Sequence, residues 1–244
     1  MEKKGDKIRF IMGTRLLNLR FVDPPSTKLP TAAALSAIEV PVDQDLFVGT
    51  GDISNAFYNM RVPDDLSDMF SMPTIRARYL GVTELQGVPI SPDEILMPCM
   101  CVLPMGWSWS LRYCQLVVKN VVEQALGPSR IIEDRRGGIV LSKALPLAGA
   151  AYVDNFAVFG LNKFAVDSQL DALVDGFGKL GLPVHEITRP QHTATSWGLT
   201  SIEGSYRSSP RACGSCAWPC VPCSDVAPSR ATLSALSQGT SRGP

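Results

Sequence analysis

Apolar residues recur at helical spacing most clearly from Ser110 to Leu126. There Leu111, Cys114, Val118, Val121, Val122 and Ala125 would line one face, and Gly127-Pro128 supplies the stop. The same period returns from about Lys163 to Leu180 through Phe164, Leu170, Leu173, Val174 and Phe177, with Asn162 as the cap and Gly181 as the terminator. Shorter apolar runs predict strands. Leu46 to Ile53 reads as a buried strand whose small residues let another backbone approach, and Ala56-Phe57-Tyr58 opens a helical turn just after it. Gly149 to Gly160 predicts a β-hairpin, with Ala150–Val153 and Phe156–Phe159 flanking Asp154-Asn155 at a tight turn. Arg9-Phe10-Ile11-Met12 reads as one more short strand. The Pro-rich stretch from Asp23 to Pro41 reads as irregular, the prolines at 73, 89 and 92 as breaks, and Glu133 to Gly138 as a polar loop. From about Tyr206, Ser, Arg, Pro, Gly and Cys replace any periodic pattern, which predicts a disordered tail over 206–244. Two amphipathic helices among several strands make the expected class α+β.

Composition narrows the classes of function. The 244 residues are 45% hydrophobic and 19% charged, within the range of an ordinary globular chain. No run approaches the roughly 18 apolar residues of a membrane span, and the charged start Met1 to Lys7 is unlike a secretory signal. An intracellular chain with no membrane partner is therefore expected. Formal charge is zero, but its distribution is uneven: residues 1–20 carry a surplus of four positive charges, 207–244 a surplus of three, and 21–206 a deficit of seven. A basic stripe for phosphate contacts is therefore available chiefly at the N-terminal end.

The seven cysteines divide between Cys99, Cys101 and Cys114 in the body, read as small buried hydrophobes, and Cys213, Cys216, Cys220 and Cys223 in the tail. The tail set forms two Cys-x-x-Cys pairs, and four thiolates can enclose Zn²⁺. Only Ala217-Trp218-Pro219 separates the pairs, a short span for wrapping a tetrahedral site, so chance composition is the preferred reading and a zinc-binding tail module the rival. His185 and His192 read as surface or packing residues.

Two acids stand where chemistry is plausible: Asp52 at the end of the buried strand and Asp154 at the hairpin tip. Each alone has an ordinary reading as turn or cap chemistry. Their surroundings add to this. Asp52 begins Asp52-Ile53-Ser54-Asn55-Ala56-Phe57. Then follow Leu103-Pro104-Met105-Gly106-Trp107-Ser108-Trp109-Ser110, running into the best helix, and Tyr152-Val153-Asp154-Asn155. In order and spacing these resemble the reverse transcriptase family, the RNA-directed DNA polymerases of retroelements, and most of all those of retrotransposons. That family's palm carries Asp-x-x-x-Ala-aromatic, Leu-Pro-x-Gly and Tyr-x-Asp-Asp. Upstream, Arg9 to Asn18 resembles the family's fingers motif. Downstream, Gly178 to Leu182 and Ser196-Trp197-Gly198-Leu199 are similar to the end of the palm. The match covers about residues 9 to 205.

The resemblance implies a right-hand polymerase palm, an antiparallel sheet backed by the two helices. Palm would be built from about 46–72 and 103–205, and partial fingers from about 1–45 and 73–102; no thumb is seen. It also implies template-directed deoxynucleotidyl transfer with Mg²⁺ (or Mn²⁺), a primed RNA or DNA template and deoxynucleoside triphosphates. Asp52, Asp154 and the backbone carbonyl of Ile53 would hold the metal. Phe57 would lie beneath the sugar and exclude a 2′-hydroxyl, and Met105 and Gly106 would lie against the incoming base and template. Arg9 would hold the triphosphate, with Lys3 or Lys4 as a second phosphate contact. The chemistry suits these residue types: in-line phosphoryl transfer builds charge on attacking and leaving oxygens, and hard divalent cations prefer carboxylate oxygen.

The sequence departs from the pattern at two positions. Asn155 stands where the family has a second Asp, which removes a full negative charge beside the cations. Gly13 stands where the fingers motif has Asp. A non-catalytic palm remnant that binds nucleic acid is accordingly the competing expectation.

Overall fold

The computed structural model of the chain describes residues 11–192 and divides into two compact units. Of the described residues, 22–56 and 108–192 form the first unit, and 11–21 and 57–107 the second. The architecture is α+β, as the periodicities predict.

In the first unit the chain runs α1 (Ala32–Ser36), β1 (Ile38–Glu39), β2 (Phe47–Ile53), α2 (Ser110–Leu126), β3 (Ile131–Ile132), β4 (Ile139–Val140), β5 (Leu147–Tyr152), β6 (Asn155–Gly160), α3 (Lys163–Lys179) and β7 (Val184–His192). Five strands form one sheet in the order β7-β2-β6-β5-β3. Three of its four pairings are antiparallel, and β3 lies parallel to β5, so the sheet is mixed rather than wholly antiparallel. The parallel pairing follows from the chain's route: β3 leaves α2 and reaches β5 only after a crossover through β4, not by a hairpin.

Alternation along β2 sorts the two faces of the sheet. Gly49, Gly51 and Ile53 point toward the helices. A Cβ on Gly51 would lie 2.5 Å from the Phe156 ring and 3.1 Å from Val184, so only glycine lets these side chains close over the strand. On this face Phe156 packs against Phe177 of α3 with ring centroids 4.8 Å apart, and the fully buried Val166, Leu170 and Leu173 continue α3's stripe. Helix α2 turns Cys114, Val118, Val121 and Val122 inward, and α3 starts where the Asn162 side chain accepts a hydrogen bond from the Ala165 amide.

On the opposite face, Val48 of β2 joins Ala148, Ala150, Ala157 and Phe159 in a second core that includes Ile132, Ile139 and Leu141. Ala34, Leu35 and Ile38 pack against it, and β1 pairs in parallel with β4. The Pro-rich stretch expected to be irregular thus contains α1 and β1. Thr31 caps α1 by accepting from the Ala34 amide, and the apolar positions of this stretch cover the second face. Burial on both faces explains why β2, β5 and β6 read as near-continuous apolar runs.

The second unit holds short helices, including Asp64–Ser67 and Ala77–Leu80, and two-residue strand pairs between Ile75–Arg76 and Ile95–Leu96 and between Glu84–Leu85 and Val88–Pro89. The buried rings of Phe70 and Trp107 meet edge-on at 5.1 Å, and Phe21 adds a second edge contact to Trp107 at 5.3 Å. Of the strand expected at Arg9–Met12, the described residues Ile11 and Met12 lie in no strand. Ile11 is exposed, and no neighbouring strand among the described residues pairs with it. Among the described residues no helix is long and apolar enough to cross a membrane.

Candidate active site

Asp52 and Asp154 come together at one end of the β2–β6 pair. Antiparallel register sets Asp52 opposite Asn155, so Asp154 precedes Asp52's direct partner. The Ile53 amide donates to the Asp154 carbonyl at 2.8 Å, tying the hairpin turn to the end of β2. On the other side of β2, register places His185 of β7 opposite Asp52. His185, Asp52, Asn155 and Tyr152 therefore form one cross-strand row on a single face of the sheet.

Negative charge gathers around Asp52 in this row, with Asp154 and Glu186 close by. The Asp52 side chain is 13% exposed, and its Oδ1 is buried without a hydrogen-bond partner. Nδ1 of His185 lies 3.1 Å from that oxygen, but outside hydrogen-bonding alignment. Burial raises the Asp52 carboxyl from its ordinary 3.8 to about 6. The charges of Asp154 and Glu186 push the same way, and His185 opposes them. The dehydration of Asp52 is the larger cause and the nearness of Asp154 the second. Asn155, the residue that departs from the polymerase pattern, donates from Nδ2 to Asp154 Oδ1 at 3.1 Å and so orients the neighbouring carboxylate.

The tip itself is held from helix α2. Gln115 Oε1 accepts from the Val153 amide at 2.6 Å, and its Nε2 donates to the Ala151 carbonyl at 2.9 Å. The Cys114 thiol lies 3.4 Å from the Val153 carbonyl as donor, and burial pushes that thiol's titration up, which keeps it protonated. Val153 takes φ 58°, a left-handed conformation that β-branched residues rarely adopt.

An orphaned, buried carboxylate oxygen beside a second carboxylate fits a hard divalent cation. Such a cation would supply the missing partner and offset the cost of burying a charged Asp52 beside Asp154. Among the described residues no group of three His, Cys, Asp or Glu side chains is arranged to hold a metal. Mg²⁺ does not require one, since it is commonly held by one or two carboxylates together with water and substrate phosphate.

The other expected site residues lie elsewhere in the chain. Phe57 is half-buried in the short helix Ala56–Asn59, within which the chain passes from the first unit to the second. Met105 and Gly106 belong to the second unit, where Tyr58 Oη donates to Met105 Sδ at 3.7 Å. Gly106 has φ 112°, and a Cβ there would lie 2.8 Å from the Met12 carbonyl oxygen and 2.9 Å from Thr14 Oγ1. The glycine is thus required by an approach of the chain's own backbone. The Asn18 side chain, from the other end of the fingers-like motif, donates to the Gly106 carbonyl at 3.0 Å. Arg9, Lys3, Lys4, the stretch Ser196–Leu199 likened to the end of the palm, the tail and its four cysteines lie outside the described residues.

His185, expected as a surface or packing residue, is half-buried, and what the sequence does not show is that it faces Asp52. Strand β7 gave no usable signal, because its register shifts twice, between His185 and Thr188 and again between Thr188 and Gln191, and Glu186 has φ 52°. Gln115 was likewise missed; its only sequence trace is one amide among the apolar positions of α2's inner face. A scan against protein-family models matches none, and a search of curated proteins finds no significant match.

Proposed function

We propose that the chain carries a palm of the reverse transcriptase kind and performs template-directed deoxynucleotidyl transfer, as an RNA-directed DNA polymerase of a retroelement. The observation that carries this reading is the convergence of Asp52 and Asp154, about a hundred residues apart in sequence, at one end of two hydrogen-bonded strands. The hydrogen bond between Asn18 and Gly106 supports it separately, since it joins two stretches that the resemblance assigns to one polymerase.

In this reading Asp52, Asp154 and the carbonyl of Ile53 hold Mg²⁺ or Mn²⁺. The bound cation supplies charge stabilisation to the oxygens of the transferring phosphoryl group. The primer 3′-hydroxyl, losing its proton to water, attacks the α-phosphorus of a deoxynucleoside triphosphate; a phosphodiester bond forms as the bond to the β-phosphate breaks, and diphosphate leaves. Asp52 contributes a carboxylate already dehydrated by the fold, and Asp154 a second one steadied by Asn155. Phe57 serves as the sugar discriminator, Met105 and Gly106 as contacts to base and template, and Arg9 as the triphosphate clamp, a role its planar donor fork suits.

Asn155 favours a second reading, a palm that binds nucleic acid without catalysis, because an amide stands where the resemblance places a further carboxylate. Primer extension on an RNA template, with Mg²⁺ and separately with Mn²⁺, decides between them. Under the first reading the wild-type chain extends the primer, while Asp52→Asn and Asp154→Asn each abolish extension. Template binding with no extension in either metal supports the second. Equal extension by wild type and both variants refutes the assigned chemistry.

A further inference from the structure

Gln115 is a buried polar side chain that the assigned chemistry does not use. It sits 3% exposed on a helix face otherwise lined by Cys114, Val118 and Val122. An amide in such a place is costly unless both its ends are satisfied. Both are, and by neighbouring points of one turn: the amide of Val153 and the carbonyl of Ala151. Cys114, the preceding helix residue, reaches the carbonyl of the same Val153. Two consecutive residues of α2 thus grip the backbone immediately before Asp154.

The grip matters because the turn opposes a local preference. Val153 at φ 58° carries a branched side chain where glycine or asparagine would be comfortable, and that side chain is buried. Released, the residue would return toward negative φ and rotate the peptide leading into Asp154. From the other side, the Ile53 amide holds the Asp154 carbonyl. The carboxylate is therefore aimed by a backbone fixed at both ends, one end by β2 and the other by α2.

We propose that Gln115 is a positioning residue, whose side-chain amide locks the strained Val153 turn so that Asp154 faces Asp52 in a geometry that shares one divalent cation. The proposal rests on the reading of Asp52 and Asp154 as cation ligands. It adds a dependence of cation affinity on a side chain that touches neither the cation nor any substrate. Removal of such a supporting contact commonly weakens metal binding by about 10- to 100-fold.

The test uses the full chain and Mn²⁺ as the probe, with binding followed by electron paramagnetic resonance and folding by circular dichroism. Gln115→Leu, which removes both hydrogen bonds, is expected to weaken Mn²⁺ binding about tenfold or more. Gln115→Glu keeps the acceptor for Val153 but loses the donor to Ala151, and is expected to weaken binding less than Gln115→Leu does. Asp154→Asn reports on the site itself. If Asp154→Asn weakens binding and folded Gln115→Leu does not, the positioning role is wrong and the site stands. If wild type and Asp154→Asn are alike, the functional reading fails and takes this proposal with it. Hydrogen exchange of the wild-type chain covers the case in which Gln115→Leu does not fold. The Val153 amide must exchange as slowly as the amides of β5 and β6, and exchange at the rate of an exposed turn overturns the lock.

Discussion

The Asp52 carboxyl makes a stability prediction that needs no substrate. Its affinity for a proton rises on folding, from an ordinary value of 3.8 to about 6, chiefly because the carboxyl is buried and secondarily because Asp154 is near. Below about pH 4 the group is protonated in both folded and unfolded chains and costs nothing. Between about 4 and 6 the unfolded chain ionises first, so stability falls as pH rises. Above about 6 both states are ionised and the full cost remains. At 1.36 kcal/mol per tenfold change in proton affinity, that cost is about 3 kcal/mol as an upper value. Asp52→Asn removes the ionisation while keeping the size, so the metal-free variant should be more stable than wild type at pH 7 by about 1–3 kcal/mol. For a chain of this length that corresponds to a rise in Tm of roughly 2–10 °C. Thermal unfolding with a chelator at pH 4, 5, 6 and 7 reads it out: the two proteins should coincide near pH 4 and separate as pH rises. Saturating Mg²⁺ should then raise the wild type alone, by about 2.7 kcal/mol at a hundredfold excess over Kd. A difference that stays flat from pH 4 to 7, or a wild type more stable at pH 7, would refute the claim that folding strains this carboxylate.

Two further substitutions probe the scaffold that presents the site. Gly51→Ala should destabilise the chain by about 1–3 kcal/mol in urea unfolding, since the new methyl meets the buried Phe156 ring, which packs against Phe177. Loss of the amide cap in Asn162→Ala should cost about 0.5–2 kcal/mol by the same measurement, with no change in Mn²⁺ affinity because the cap follows Gly160, at the opposite end of β6 from Asn155.

What could be read from the sequence was whatever local periodicity determines. Helix α2 spans Ser110–Leu126 as its apolar spacing requires, and α3 begins at its Asn162 cap and ends within a residue of expectation. Strand β2 and the β5–β6 hairpin were legible because burial on both faces leaves them with few polar residues. The juxtaposition of Asp52 and Asp154 could only be reached through the spacing of flanking motifs, since nothing local to either acid encodes its partner. Less was visible where long-range packing selects structure against local pattern. The two residues of β1 and of β3 carry no period at all, and α1 lies among prolines. Strand β7 loses its alternation through two register shifts, and with it went the approach of His185 to Asp52. Gln115 was hidden for a different reason: the hydrogen bonds that define its role run to backbone atoms 36 and 38 residues away.

Pro190 has a consequence for how copies of this chain meet each other. It lies in β7, which borders the five-stranded sheet among the described residues, where it offers no amide hydrogen, and the nearby shifts in register break the row of donors and acceptors further. An open border of regular, hydrogen-bond-hungry backbone invites a neighbouring molecule to add on and continue the sheet, and so begins aggregation. Here that invitation is withdrawn by the backbone itself, so Pro190→Val would be the substitution to avoid when preparing the chain at high concentration.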